Sequence, residues 1–347
     1  MGESKSKRII YIDILNIISI LAVILLHHNG IVHMYDSNIK WKISLVIETV
    51  FFWAVPVFLM NSGATLMGYR QKYDTKTFFK KRLTKVLIPF VFWIFVMTVW
   101  RIATKQLVIE KWSIANILNI VFTNQEETIY YFGFIILGIY LSMPLLSLLA
   151  EEKNRKTLWL TVGLFFIFNS TLPVICSLFD ITYNLNLRVQ IGDFLIFILL
   201  GYLLSIENLQ KKNRILLYLS AVASICFRYL VTLYLSTKDG NVNRILFDYT
   251  QFHSVLLASA VFVFIRNIKW DKIIKKESVI NLLGKISSCS FGIYLIHKII
   301  MYYELEVFKV SMFSWKWMTI GAVCTYIISF CIIFILKKIP LIKRVVA

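Results

Sequence analysis

The first long apolar segment of the chain carries four polar side chains that hydrocarbon disfavours: Asp13, Asn16, His27 and His28. An ionisable group at mid-bilayer costs about 2.5 to 3.5 kcal/mol on insertion scales, so such groups usually face a protein interior or a water-filled cavity. Histidine can be buried neutral and still exchange a proton near neutral pH, which suits it to general-base chemistry. This segment is therefore expected to line a site.

Helical geometry places three of these side chains on one face. Asn16 and His27 are eleven residues apart, which leaves them about 20° apart at about 100° per residue. Asp13 lies about 40° to the other side of His27, so the three form a polar stripe. At about 1.5 Å per residue, His27 lies roughly 27 Å beyond Ile9, most of the way across a core of about 30 Å.

Several carboxylates are candidate partners for the His27 imidazole. Glu48, in the second apolar segment, lies at about the depth of His27 if the two helices are antiparallel neighbours, so it could orient or charge the ring. Asp193, Glu126 and Glu127 compete for that role, and all three lie near the same side of the membrane.

Two later clusters are candidate pocket residues. Tyr294 and His297 are one helical turn apart and share a face. Asn61, Ser62 and Gly63 in the second segment allow close helix approach and hydrogen bonding inside a bundle, and a structural role is sufficient to explain them.

The basic segment at 71–85 alternates apolar residues with lysine and arginine. It predicts an interfacial helix held by anionic headgroups, at about 1 kcal/mol per basic residue. The alternative is a phosphate cradle, formed by Lys81, Arg82 and Lys85, for a nucleotide-bearing donor. The residues alone favour the interfacial helix and leave the cradle open.

Composition defines the elements that must position these residues. With 58% hydrophobic and only 16% charged residues in 347, the chain is predicted to be an all-α, polytopic membrane helical bundle. Apolar runs of about 20 residues predict about ten transmembrane helices, at 9–32, 44–68, 86–103, 130–149, 158–178, 193–206, 215–235, 251–265, 290–311 and 318–336. The sixth and eighth are short.

The net charge of +19 reports membrane topology rather than nucleic-acid binding. Most of the basic residues fall in alternate loops, which is the positive-inside pattern with both termini cytoplasmic. A minority alternative is that part of this basic surface also attracts an anionic cosubstrate. We expect membrane lipids, and no nucleic acid, as partners.

Residues 1–347 are expected to form a single integral-membrane domain with no appended soluble domain and no internal repeat. The five cysteines lie in or beside apolar segments without metal-ligand spacing, so they are interpreted as small core residues. Neither a disulfide nor a metal site is predicted.

Five short motifs, in this order and spacing, resemble the acyltransferase-3 family of membrane-bound bacterial O-acyltransferases over nearly the whole chain. The family's first-helix pattern is Asp-x-Leu-Arg followed by apolar residues and a histidine. The matching stretches are Tyr11-Ile12-Asp13-Ile14-Leu15-Asn16 with Ala22 and His27, Val55-Pro56-Val57-Phe58 through Ser62-Gly63, Phe79-Lys80-Lys81-Arg82 with Pro89, Gly138-Ile139-Tyr140 with Pro144, and Ser290-Phe291-Gly292-Ile293-Tyr294-Leu295-Ile296-His297.

Two positions depart from the family pattern. The family usually has arginine eleven residues before the first-helix histidine, where this chain has Asn16. The family's His-x-Trp-Phe at the start of the fourth helix is Ile129-Tyr130-Tyr131-Phe132 here. These departures leave three alternatives: altered donor handling, compensation by another basic residue such as Arg8, or lost activity.

The resemblance implies transfer of an acyl group, most often acetyl from cytoplasmic acetyl-CoA, to a hydroxyl of an extracytoplasmic cell-surface glycan or lipid-linked sugar. It implies a multi-pass protein of the cell membrane with acyl-CoA as cosubstrate and no permanently bound cofactor. On this hypothesis His27 is the general base or a transient acyl relay, with Glu48, Asp13 and Asn16 as catalytic partners. The donor-binding residues are then Arg82, Lys81 and Lys85, and the pocket residues are Ser62, Tyr294 and His297.

Two other classes of function remain open. A polar stripe across a helix also suits a transporter or flippase for a lipid-linked saccharide. A catalytically impaired relative, serving in assembly or sensing, is the third alternative, which the asparagine at position 16 keeps open.

Overall fold

The structure is a computed structural model, which describes residues 8–109, 112–340 and 342–346. Within these residues the secondary structure is helical, with no strand, as the composition predicts. The helices are α1 Ile10–His28, α2 Ile39–Phe51, α3 Ala54–Leu66, α4 Thr75–Arg82, α5 Ile88–Ala103, α6 Ile114–Phe122, α7 Tyr131–Leu146, α8 Arg155–Phe165, α9 Leu172–Leu178, α10 Leu195–Ile206, α11 Lys211–Asp239, α12 Phe252–Asn267, α13 Trp270–Ile273, α14 Glu277–Ser288, α15 Ser290–Phe308 and α16 Ala322–Leu336.

Seven helical stretches of the described residues are long and apolar enough to cross a membrane, and several of them combine two consecutive helices. The α14–α15 pair, bent by 55°, adds an eighth. The predicted sixth and eighth spans correspond to shorter apolar helices, Leu195–Ile206 and Phe252–Asn267. The protein is therefore a multi-pass membrane protein. The count of about ten and the cytoplasmic termini stay predictions.

Local backbone irregularities divide several of the predicted spans. The second is interrupted at Phe52 and Trp53, just before Pro56 in the first turn of α3, because proline removes a backbone donor. A π-helical turn, Leu83–Leu87, joins α4 to α5 immediately before Pro89. Such a turn rotates the side chains that precede it relative to the following helix.

Helix α1 lies at the centre of the bundle and packs against α3, α12, α14, α15 and α16. Beside it, α3 and α10 approach backbone to backbone. Gly63 faces the carbonyl group of Ile198, and Gly201 faces that of Met60, so a Cβ at either glycine would collide with the other helix. The close approach expected from Gly63 is thus present.

The interpretation of all cysteines as core residues is wrong for two of them. Cys289 is buried, whereas Cys226 and Cys331 are exposed on the helix surface. A thiol behaves as a small apolar group, so it is compatible with the apolar outer surface of a membrane bundle as well as with its core.

Candidate functional site

A cavity of about 1220 Å³ runs along α1 inside the bundle. Its walls include His27 and Asn16 on α1, together with Tyr131, Tyr249 and Tyr294. At one end it is lined by Arg82, Lys85, Lys337, Lys343 and Arg344. We call this the basic end, and the end at His27 the histidine end.

The His27 ring stacks on His297, with ring centroids 5.3 Å apart and an interplanar angle of 27°. His297 is completely buried, and its Nδ1 lies 2.7 Å from the Tyr294 carbonyl oxygen. A carbonyl only accepts, so Nδ1 carries the proton and fixes the tautomer. The prediction of His297 as a pocket residue is corrected: it is outside the cavity wall and supports His27 from behind.

Tyr294 lines the cavity and is also fixed in place by two reciprocal hydrogen bonds. Its hydroxyl donates to the Ile129 carbonyl at 2.5 Å, while the Tyr130 hydroxyl donates to the Leu295 carbonyl at 2.7 Å. The two bonds join the start of α7 to the middle of α15. The segment where this chain lacks the family's histidine is thereby positioned by tyrosines instead.

Asn16 lies in the cavity wall on the same face of α1 as His27. Its Oδ1 accepts from Asn61 at 2.9 Å, and its Nδ2 donates to Ser287 at 3.2 Å. Helical rise puts it about 16 Å from His27, too far to contact the same reacting atom. Together with Ser62, also in the wall, these residues form a polar stretch between the two ends.

Asp13 is not a partner of His27. Arg8 contacts it with two nitrogens, at 2.5 and 3.1 Å from the two carboxylate oxygens, and this hydrogen bonding raises the pKa of Arg8. The guanidinium packs where a side chain on Gly284 would stand. Arg8 therefore connects the start of α1 to α14, with its guanidinium paired to Asp13.

The expected pairing of Glu48 with His27 is also corrected. Glu48 is buried beside Arg228, with Oε1 3.6 Å from its guanidinium. Arg228 further donates to the carbonyl groups of Glu48 and Leu246 at 3.0 and 2.8 Å, and lies 3.6 Å from the Phe52 ring centroid. A buried arginine makes the nearest carboxylate its counter-ion, so Glu48 is not available to His27.

The competing carboxylates have contacts of their own, and Glu127 accepts hydrogen bonds from the Thr128 hydroxyl and the Ile129 N–H. Asp193 forms an ion pair with Arg188 at 3.7 Å. Arg101 holds the loop before α7 through the carbonyl groups of Gln125 and Glu126. The Glu126 side chain is buried in that loop, and burial raises its pKa to about 7.

His28 belongs to a separate buried network. Its Nδ1 lies 2.8 Å from the Ile24 carbonyl oxygen and must donate, while its Nε2 lies 3.1 Å from the Thr325 hydroxyl, which also bonds Glu304. The hydroxyl has one proton and two partners, so either Glu304 or His28 supplies a second proton. Both arrangements contain the same number of protons, and the network is neutral overall.

The basic end gathers cations from three segments. Arg82 lies 5.5 Å from the ring centroid of Tyr140, a cavity-wall residue. Lys337 donates to the Ser288 carbonyl at 2.8 Å, and burial, with the charge of Lys85 as a smaller cause, lowers its pKa. Among the described residues that line the cavity there is no aspartate or glutamate. This end therefore carries positive charge without an acidic partner.

Lys81 is the exception among the predicted donor-binding residues. Its ammonium lies 3.8 Å from the Tyr73 ring centroid, outside the cavity wall. It is adjacent to Arg82 in sequence, but about 100° of helical rotation turns it away. Both are basic residues of one segment, so residue type alone does not distinguish them.

Lys337, Lys343 and Arg344 were missed by sequence reasoning. Their sequence signal is a run of positive charge after the last span, which the positive-inside rule explains by membrane topology alone. Lys337 directly follows α16, and folding of 342–346 back against the bundle brings Lys343 and Arg344 to the cavity.

A family profile described as an acyltransferase domain, that of acyltransferase-3, matches residues 9–337. The chain belongs to the acyltransferase-3 family. This match spans every helix from α1 to α16 and ends before the 342–346 segment. No curated protein and no solved structure matches the chain significantly. As a family member, the protein is a membrane acyltransferase.

Proposed function

We propose that this acyltransferase moves an acyl group, with acetyl as the first candidate, from cytoplasmic acyl-CoA to a hydroxyl of an extracytoplasmic cell-surface glycan or lipid-linked sugar. The observation that supports this proposal most is the continuous cavity between a cluster of unpaired cations and His27. On this proposal the basic end faces the cytoplasm, in agreement with the positive-inside pattern.

The donor would enter with its thioester leading. Its phosphates would stay with Arg82 and Lys85, since charge-assisted contacts to phosphate are strong. The amide groups of its arm would pass Asn16, Asn61 and Ser62, which offer donors and acceptors along the wall. The thioester would then lie near His27, separated from the phosphates by the length of the polar stretch.

His27 would act as the general base. Its imidazole takes the proton of the acceptor hydroxyl as the oxygen attacks the thioester carbonyl, and a tetrahedral oxyanion forms. The carbon–sulfur bond then breaks, and the departing thiolate receives the proton from the imidazolium. Stacking on His297 holds the ring while it changes protonation. Transient acylation of His27 is the alternative course.

The test is the ester content of surface glycans from cells with the intact protein, with His27→Ala, with His33→Ala, or with no copy. His33 is an exposed histidine outside the cavity wall and is the matched control. We expect mass spectrometry and proton NMR to show the O-acyl signal lost with His27→Ala and with no copy, and kept with His33→Ala. Full retention in His27→Ala, at equal membrane abundance, contradicts the proposal.

A transporter or flippase for a lipid-linked saccharide is the second candidate, favoured by the polar side chains Asn16, Asn61 and Ser62 in the cavity wall. It predicts that deletion abolishes the surface glycan itself, whereas His27→Ala leaves both glycan and ester unchanged. An impaired relative predicts no change of ester in any of the strains.

A further inference from the structure

Residues 342–346 lie beyond the last membrane helix and outside the family match. Even so, they return to the bundle. Val346 is fully buried in the main core cluster, and its carbonyl oxygen lies against the backbone of Gly292, where a side chain would collide with it. Val345 is part of the cavity wall. The segment is therefore seated at the basic end.

This seating places two exposed cations, Lys343 and Arg344, in the lining of the cavity. Arg82 is less exposed and reaches the Tyr140 ring farther inside. The cations of the basic end thus lie at two levels: Arg82 within the entrance, and the two residues of the 342–346 segment at its rim. Lys85 and Lys337 line the same end, and the charge of Lys85 acts on Lys337.

Cations at two levels fit a ligand with two phosphate groups at different distances from its reactive end. An acyl-CoA has this chemistry, with a pyrophosphate nearer the thioester and a ribose phosphate farther from it. A site held in place before binding loses little conformational entropy when the ligand arrives. The buried Val346 anchor supplies this preorganisation at the rim.

We propose that Lys343 and Arg344 form a second phosphate site, which recognises the ribose phosphate of the donor and makes the enzyme select CoA thioesters over donors that lack this group. The inference rests on the proposed function, because it assumes an acyl-CoA donor. The two residues are specificity determinants and take no part in the chemistry at His27.

The test compares the binding of CoA with that of dephospho-CoA, which lacks the ribose phosphate. The full-length protein is held in nanodiscs of zwitterionic lipid, and affinities are measured by calorimetry for wild type and for Lys343→Gln/Arg344→Gln. We expect the double variant to weaken CoA binding about tenfold and dephospho-CoA binding by less than about twofold, as loss of charge-assisted phosphate contacts predicts.

Two further variants separate the site from general charge and from folding. Lys275→Gln/Lys276→Gln removes two exposed lysines outside the cavity wall and is expected to leave both affinities unchanged. Val346→Asp keeps both cations but unseats the segment, so it is expected to reproduce the selective loss of CoA affinity.

The inference is overturned if the double variant binds both ligands as wild type does, or weakens both equally. It is also overturned if its effect appears only in nanodiscs that contain anionic lipid, because the segment then binds headgroups. Failure of wild type to bind either CoA or dephospho-CoA overturns the acyl-CoA donor itself, which is a different result from an unaffected double variant.

Discussion

Two regions of the bundle hold charge in different ways: the basic end of the cavity, and the buried Glu48–Arg228 pair outside its wall. At the basic end, five cations line the wall, and no carboxylate from the described residues accompanies them. In the Glu48–Arg228 pair, by contrast, two buried charges neutralise each other inside the protein. Unpaired charge indicates a ligand-binding site, whereas a paired buried charge indicates a structural role in positioning other residues.

Arg228 illustrates this structural role. It bonds the carbonyl group of Leu246 and stacks over Phe52, and Phe52 in turn stacks on Tyr249 at 4.3 Å. Tyr249 lines the cavity. A pair outside the cavity wall thereby positions a residue of that wall.

The largest expected effect comes from breaking that pair. Arg228→Met leaves the Glu48 carboxylate buried without its counter-ion, which costs about 3 to 5 kcal/mol. We expect a large drop in the thermal midpoint of the purified protein and in its membrane abundance. Glu48→Leu/Arg228→Met, which removes both charges, should recover most of the loss. A single variant as stable as wild type would contradict the structural role.

Neutralising the basic end should affect binding and leave stability alone. Arg82→Gln/Lys85→Gln removes charges that have no acidic partner, so the thermal midpoint should stay within about 1 °C, while affinity for CoA falls about tenfold or more. Calorimetric titration at two salt concentrations measures this, and the salt dependence should weaken as well. A lowered midpoint with unchanged affinity would reverse the assignment of this end.

The His28–Thr325–Glu304 network offers a smaller test at the histidine end. Thr325→Val removes the hydroxyl that both neighbours use, leaving buried polar groups unsatisfied at a cost of about 1 to 3 kcal/mol. Thr325→Ser keeps the hydroxyl and serves as the matched control. We expect a lower thermal midpoint for valine and a near-normal one for serine; equal midpoints would show that the hydroxyl is not needed.

Glu126 predicts a pH dependence of stability. Burial raises its pKa to about 7, so the folded state favours the neutral carboxyl, and this contribution is complete below the unfolded pKa of about 4.3. It is lost as pH rises through about 7. Thermal midpoints measured from pH 5 to pH 8 should therefore fall more in wild type than in Glu126→Gln. Parallel profiles would contradict the burial of this group.

The smallest effect is expected at Lys81. Its ammonium lies over the Tyr73 ring and outside the cavity wall, so Lys81→Gln should change CoA affinity by no more than about twofold. The same calorimetric titration checks this. A tenfold loss would place Lys81 with Arg82 in the donor site and remove the distinction between the two neighbours.

The sequence predicted what local periodicity determines. Apolar runs located the helices, and the 100° rotation per residue placed Asn16 and His27 on one face, where both line the cavity. For Lys81 and Arg82, the direction of each side chain depends also on the π-helical turn that follows them, which is a backbone feature without a clear side-chain pattern.

Contacts between distant segments could not be predicted from the sequence. Glu48 and Arg228 are 180 residues apart, and the sequence of neither helix indicates that the two residues form a pair. Their pairing depends on how α2 and α11 pack, as does the position of Glu48 relative to His27. Likewise, the positive residues after α16 satisfy the positive-inside rule equally well whether they are solvated or fold back to the cavity.

The central claim is that one cavity joins donor binding at the basic end to chemistry at His27. The most direct test reconstitutes wild type, His27→Ala and Arg82→Gln/Lys85→Gln in nanodiscs and measures, for each, CoA affinity and the acceptor-dependent release of CoA from acetyl-CoA. The account predicts that His27→Ala binds CoA normally but releases none, whereas the basic-end variant binds weakly and regains release at high donor concentration. Acceptor-dependent release by His27→Ala at the wild-type rate would contradict it.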